Sequence, residues 1–287
     1  MGWKHKGANR AFDIFIIILV GFIALMFLLP LLHVLAASFS SADQVVAGNV
    51  GLFPVQFSLE GYKYIFKEKM IWTGFRNSLI YTVVGTIIQV ACQFLCAYPL
   101  SRPDFKGRKV INIFLVLTMF IGGGMIPTYL LVTGLGLYDS MWAIILPGVV
   151  SVFNIIVIRT YMQSSIGTEV QEAAMIDGCG DWRIFTRIIL PLCRPIIAVM
   201  ILYGVVGFWN SYFNALMYIQ DTSLYPLQNV LNSILISNEA ALGGGDVNLA
   251  EQLKYVTIVI SSLPLLIIYP FFQKYFEKGV TIGGVKG

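Results

Sequence analysis

The sequence predicts an all-α membrane protein with six transmembrane helices. Three observations carry this. Of 287 residues, 57% are hydrophobic and 12% charged, against about 25% charged in soluble domains; mean hydropathy is +0.78. Six stretches are apolar enough to be spanning helices, which need about 20 such residues: Phe12–Ser38, Asn77–Tyr98, Val110–Thr133, Met141–Ile158, Pro195–Ile219 and Tyr255–Gln273. With the N-terminus inside, the inner segments hold fourteen of the 19 Lys and Arg and the outer segments five. That is the inward bias expected of positive charge in membrane proteins. Both termini and the loop between spans 4 and 5 then face the cytoplasm. Residues 1–287 read as a single transmembrane domain. The net charge of +4 reports this orientation, and no basic patch suits nucleic acid.

The first span begins after Lys4, Lys6 and Arg10. Ile14–Leu32 is uncharged over 19 residues, longer than the about 7–15 residues of a signal-peptide core, so it reads as an uncleaved helix. The outer segment Phe39–Arg76 includes the run Gly61–Trp72. Tyr62, Ile65 and Phe66 share a helical face there, which fits an interfacial helix anchored by Trp72 or a lid over the helix ends. The second span carries Ser78, Thr82, Thr86, Gln89, Gln93 and Ala97 at steps of three and four, hence on one face. Such a stripe suits a pathway wall, but interhelical packing by small and hydroxyl residues is the favoured reading. In the third span Gly122, Gly123, Gly124 and Pro127 predict a broken helix, with Tyr129 near its outer mouth.

The fifth span places Tyr203, Gly207, Asn210 and Asn214 on one face, flanked by Trp209 and Tyr212. Aromatic rings and amides suit sugars, whose C–H faces stack and whose hydroxyls hydrogen-bond. Packing and an interfacial aromatic belt explain the same residues equally well. Tyr203, Asn210, Asn214, Gln89, Gln93 and Tyr129 are the candidate pathway residues. The outer loop Gln220–Lys254 is about 35 residues, a length usually functional or disordered. Pro264 and Pro270 should kink the sixth span. None of Cys92, Cys96, Cys179 and Cys193 lies in an outer loop, so no disulfide is expected. No metal centre is expected either.

The loop between spans 4 and 5 has the richest pattern. Thr168-Glu169-Val170-Gln171 has the form of a capping box, and Gly178 suits a left-handed C-cap. A second helix starts near Asp181, with Trp182, Phe185, Ile188 and Ile189 as its apolar side. Pro191 and Pro195 end it. The loop thus reads as two short helices joined by a glycine elbow.

Its residues run Glu172-Ala173-Ala174, three residues, Gly178, nine residues, Ile188, one residue, Leu190-Pro191. This resembles the EAA loop of the membrane-spanning subunits of bacterial ATP-binding-cassette importers, specifically the maltose-type carbohydrate permease subfamily. Cys179 stands where that family often has alanine. The tail, with Gly283, Gly284, Val285 and Lys286, is similar to that subfamily's, and the likeness covers the whole chain. It implies a type I importer fold, with the EAA loop forming coupling helices. Glu172, Ala173, Ala174, Asp177 and Gly178 would then contact an ATPase subunit, and Gly283–Lys286 would reach between two of them. It also implies a second, homologous permease in a heterodimer, two ATPase subunits that bind ATP and Mg, and an extracytoplasmic substrate-binding protein.

The chain has no G-x-x-x-x-G-K-[ST] phosphate loop, so it is expected to be no enzyme, with no cofactor of its own. A peptide or amino-acid substrate is the alternative to a carbohydrate. An ion-coupled secondary transporter is a further alternative. Such proteins use intramembrane ionisable relays, and spans 2 to 6 contain no Asp, Glu, Lys or Arg.

Overall fold

The computed structural model describes residues 7–240 and 247–284, with side chains at Arg10 and over 12–236 and 248–273. The described residues lie in two compact units. One falls within Met1–Lys69 and Leu231–Leu263, the other within Met70–Val230 and Pro264–Gly287.

In the first unit, helix α1 (Gly7–Ser38) contains Pro30 and is exposed along Phe12–Leu32. A short helix, α2 (Ala42–Val46), follows, then α3 (Glu60–Lys67). The polar end of α1 is held by hydroxyl contacts: Ser40 Oγ donates to Ala36 O at 2.7 Å and accepts from Val55 N at 3.0 Å, and Tyr62 OH donates to Ser38 Oγ at 2.9 Å. Gln252 Nε2 donates to Ser40 O at 2.7 Å. The amphipathic run expected over Gly61–Trp72 is shorter than its pattern. α3 stops at Lys67, because Glu68 is extended (ψ 117°). Ile65 is buried whereas Phe66 is exposed, and Trp72 belongs to the next helix.

The second unit is built on α4 (Lys69–Ser101). Next come α5 (Arg108–Phe120) and α6 (Met125–Gly134), bent by 114° at their junction. The glycine run is the cause: Gly124 has φ +82°, a conformation side-chain-bearing residues rarely adopt. At 13 and 10 residues, the two rods are about 20 and 15 Å long. Helices α7 (Met141–Val149) and α8 (Val152–Ser165) are bent by 46° at a break the sequence reading does not anticipate. Ser151 caps α8, its side chain accepting from Asn154 N. Then come α9 (Thr168–Ile176) and α10 (Asp181–Leu192), the latter bent by 82° against α11 (Arg194–Trp209).

The expected fifth span is two helices, α11 and α12 (Tyr212–Tyr218), interrupted at Asn210-Ser211. The expected loop Gln220–Lys254 is also largely helical among its described residues. It contains a 3₁₀ turn at Thr222–Leu224 and α13 (Leu227–Ala240). Gly243, Gly244 and Gly245 lie outside the described residues. The last helix, α14 (Val247–Gly284), contains Pro264 and Pro270 without a break in the helix. Among the described residues, three helices are long and apolar enough to cross a membrane, or up to six if each bent pair is one span.

The polar stripe of α4 is a packing face. Ser78, Thr82, Thr86, Gln89, Gln93 and Ala97 are all buried. Opposite it, α11 presents Gly204, where a Cβ would lie 2.9 Å from Thr86 and 3.0 Å from Gln89 Oε1. On α4 itself, a Cβ on Gly85 would meet the Phe208 ring at 2.8 Å. Small residues here let two helix backbones approach closely, as membrane helices require. Gly204→Val is therefore expected to cost about 1–3 kcal/mol by overpacking. It should lower the thermal unfolding midpoint of the purified protein in detergent; an unchanged midpoint would contradict this crossing.

Candidate functional site: the α9–α10 loop

Nine residues form α9, and the chain then reverses at Gly178. Three backbone bonds close the turn. Asp177 N donates to Ala173 O, Gly178 N to Met175 O and Cys179 N to Ala174 O, each at 3.0 Å. The last two are the paired bonds of a Schellman cap. Gly178 has φ +75°, the left-handed value such a cap needs and which glycine adopts freely. The helix start differs from the capping-box expectation. Gly167 is the N-cap, Thr168 is already helical, and no side chain caps the end.

The elbow joins α9 to a firmly seated α10. Ile184, Phe185 and Ile189 are 0%, 5% and 1% exposed, packed in one core with Phe94, Ile158, Cys193 and Met200. Each such burial contributes about 1.5–3 kcal/mol. The buried set is not the one the sequence pattern suggested. Phe185–Ile189 is a π-turn, whose wider repeat shifts the wheel. Ile188 is only half-buried, and Trp182 is 68% exposed.

Of the residues expected to meet a partner, Glu172, Ala173, Asp177 and Gly178 are exposed together on one side. Ala174 is a correction: it is 6% exposed and packs inward with the core. Sequence reasoning overlooked its neighbours Met175 and Ile176, which are 42% and 86% exposed. An unburied isoleucine beside an elbow was visible as a type, but its direction depends on Ala174 and Gln171 facing inward.

A charged knot lies behind the elbow and was also missed. Arg102, directly after α4, is buried. Its Nε and Nη2 donate to Asp104 at 2.9 and 2.7 Å, and its Nη1 donates to Asp181 at 2.5 Å and to Tyr98 OH at 3.0 Å. The hydrogen bond from Arg102 holds the Asp104 carboxyl below the usual carboxylate range. The guanidinium is itself raised above its ordinary value, chiefly by the bond to Asp104. Both stay charged into mildly acidic conditions. The stabilisation from Asp104 is present above its ordinary pKa and is lost as pH falls through the depressed one. The Tyr98 ring also packs on Phe185 at 4.9 Å. One end of α4 thus grips α10 by a charge and by a ring.

The candidate pathway residues do not form one surface. Gln89 and Gln93 are 7% and 0% exposed. Gln93 Nε2 donates to Val149 O at 3.2 Å, so within this chain both are packing residues, a correction to the pathway reading. Tyr129 is half-buried, stacked on Tyr218 with centroids 5.9 Å apart. Tyr203 and Asn210 are exposed and Asn214 is half-buried. The break at Asn210-Ser211 means that the expected face is not continuous along one helix. Asn210 also spends its amide locally: Nδ2 donates to Val206 O, and Oδ1 accepts from Gln228 Nε2.

A cavity of about 620 Å³ lies among α4, α10 and α11, with Trp182, Phe94 and Ile201 in its lining. Only two hydroxyls, from Thr86 and Thr186, are among the lining side chains. Such a groove offers little to a sugar. Gly283 and Gly284 end α14; Val285 and Lys286 lie outside the described residues.

Comparison with known proteins gives a consistent result. A family model described as the binding-protein-dependent transport system inner membrane component matches residues 71–282. The polygalacturonan/rhamnogalacturonan transport system permease protein YtcP of Bacillus subtilis is 40% identical, covering 97% of this chain and 99% of that one. The arabinooligosaccharides transport system permease protein AraQ of the same organism is 29% identical, covering 99% of each. Among solved structures, a bacterial ABC transporter involved in the import of the acidic polysaccharide alginate has a chain matching with a TM-score of 0.84. That chain is 32% identical, and the match covers 95% of this chain and 99% of that one. The elbow lies within the span matched by the family model, and this chain belongs to the family of inner membrane components of binding-protein-dependent transport systems.

Proposed function

We propose that this chain is one of two non-identical permease subunits of an ATP-driven importer for an oligosaccharide. We further propose that it presents α9 and the Gly178 elbow to an ATPase subunit. The observation that carries the coupling role is the elbow itself, an exposed, rigidly capped helix on an α10 anchored in the core. Its outward residues include Glu172, Ala173 and Gly178 of the EAA pattern, together with Asp177. The carbohydrate class is supported by the relatives, whose names describe transport of polygalacturonan/rhamnogalacturonan and of arabinooligosaccharides, and by the solved structure, whose transporter is involved in the import of alginate. The excess of Lys and Arg in alternate segments supports a cytoplasmic N-terminus, C-terminus and elbow in a multi-pass cell-membrane protein. ATP and Mg would be held by the separate ATPase subunits, and substrate would arrive on an extracytoplasmic binding protein.

The test is co-expression of the chain with candidate partner permeases and an ATPase, followed by purification and uptake of labelled oligosaccharides into liposomes. The expected result is a complex with one copy of this chain, one different permease and two ATPase subunits. It should take up sugar only with binding protein outside and ATP inside. Two copies of this chain with ATPase alone would overturn the heterodimer. Uptake of peptide in place of sugar would overturn the substrate class.

A further inference from the structure

Arg102 lies in the connection between α4 and α5, outside the EAA pattern, and none of the proposed ATPase contacts includes it. Yet its guanidinium is the point where three segments meet: the end of α4 through Tyr98, the following loop through Asp104, and the start of α10 through Asp181. Arg108 Nη1 donates to Arg102 O at 3.2 Å, tying in the start of α5. Asp181 is only two residues beyond Cys179, where the Schellman cap closes. A displacement of α9 therefore reaches Asp181 through a short, capped turn, beside the direct contact of Ala174 with the apolar core.

The burial pattern is uneven. The Arg102 side chain is 8% exposed, whereas those of Asp104 and Asp181 are 61% and 77% exposed. A pair built only for stability gains little when its carboxylates are solvated. A bidentate grip on Asp104 does something else. It fixes the planar guanidinium, so that the remaining Nη1 is aimed at Asp181 and Tyr98. The apolar packing of α4 on this part of α10, which includes the Tyr98–Phe185 ring contact, has no directional hydrogen bond.

We propose that Arg102 is a positioning residue for energy coupling. It locks the end of α4 to Asp181, so that motion of the docking helix α9 is delivered to the long helix α4 and is not absorbed by the loop. This rests on the proposed coupling role of α9. Asp104 orients the guanidinium, and Asp181 receives the movement.

The experiment uses the whole importer in liposomes and reads sugar molecules imported per ATP hydrolysed, together with stimulation of ATPase activity by the binding protein. Arg102→Met and Asp181→Ala are compared with Arg102→Lys and with Gly178→Pro. Because both carboxylates can rehydrate, the variants are expected to assemble. The transport-to-ATP ratio should fall roughly tenfold in Arg102→Met and Asp181→Ala, as expected when a charged hydrogen bond is lost. It should recover partly in Arg102→Lys, whose single ammonium reaches one carboxylate but cannot fork. A purely structural role would lower the yield or melting point of the complex and leave the ratio per assembled complex unchanged. That result in Asp181→Ala, whose altered side chain is exposed, overturns the proposal even if Arg102→Met does not assemble. A normal ratio in the Arg102 and Asp181 variants beside an uncoupled Gly178→Pro overturns the positioning role alone. Normal ratios in all of them overturn the coupling role of α9 as well.

Discussion

Gly178→Pro is expected to abolish substrate uptake while leaving the chain in the membrane. Two independent costs fall on the same residue. The native φ is +75°, and proline holds φ near −65°, so the reversal after α9 cannot form. Proline also lacks the N–H that donates to Met175 O, which leaves one of the last helical carbonyls without its partner. Gly178→Ala isolates the first cost, since alanine keeps the N–H and only the left-handed strain remains, about 1–2 kcal/mol. No atom within 4 Å would obstruct its Cβ, so alanine should reduce coupling only in part. The measurement is ATPase stimulation and uptake in liposomes, in the order wild type, alanine, proline. Full coupling in the proline variant would show that the elbow conformation is not needed for transmission.

The grading from wild type to proline tests a feature that was legible in the sequence, and there is a physical reason why. A glycine at the end of a helical pattern whose first turn is acidic encodes a local reversal needing no distant contacts. The same holds for the break at Gly122–Gly124, where backbone freedom alone is decisive. What was not legible depended on distant partners. The stripe on α4 could have faced water or helices. Gly204 and Phe208, more than a hundred residues later in the chain, decide for helices. The bend between α7 and α8 and the helical stretch Leu227–Ala240 do carry local signals that the sequence reading passes over: Pro147-Gly148 followed by the cap Ser151, and Leu227, Val230, Leu231, Ile234 and Leu235 at helical spacing after Pro226. The interruption at Asn210-Ser211 has no comparable signature. Arg102 was counted as a loop cation setting orientation. That it is buried follows from Asp181, 79 positions away, and a positive charge beside a membrane span gives no hint of such a partner. The π-turn in α10 misled the helical wheel in the same way, since a 3.6-residue period was assumed where the helix widens.

The second large effect is expected at Ile176. Its side chain is 86% exposed at the last position of α9, and Met175 beside it is 42% exposed. A solvated isoleucine on a rigid, capped helix next to Glu172 and Asp177 has the form of an apolar anchor ringed by acidic residues. Interface energy concentrates in a few such anchors, where truncation costs about 2 kcal/mol or more, a factor of about thirty in affinity. Ile176→Asp should therefore weaken association with the ATPase subunit by at least that factor, because it removes the anchor and buries a carboxylate in its place. The folded chain should be unaffected, since the side chain touches little of its own protein. Ala174→Asp provides the contrast. Ala174 is packed against the core, so a charge there should destabilise the permease itself. Affinity is read by titrating purified ATPase onto permease complexes in detergent, and stability by thermal unfolding of the same samples. If Ile176→Asp binds ATPase as tightly as the native chain, docking uses another face of α9. The exposed Val170 and Glu169, about two turns earlier on the helix, would then be the next residues to replace.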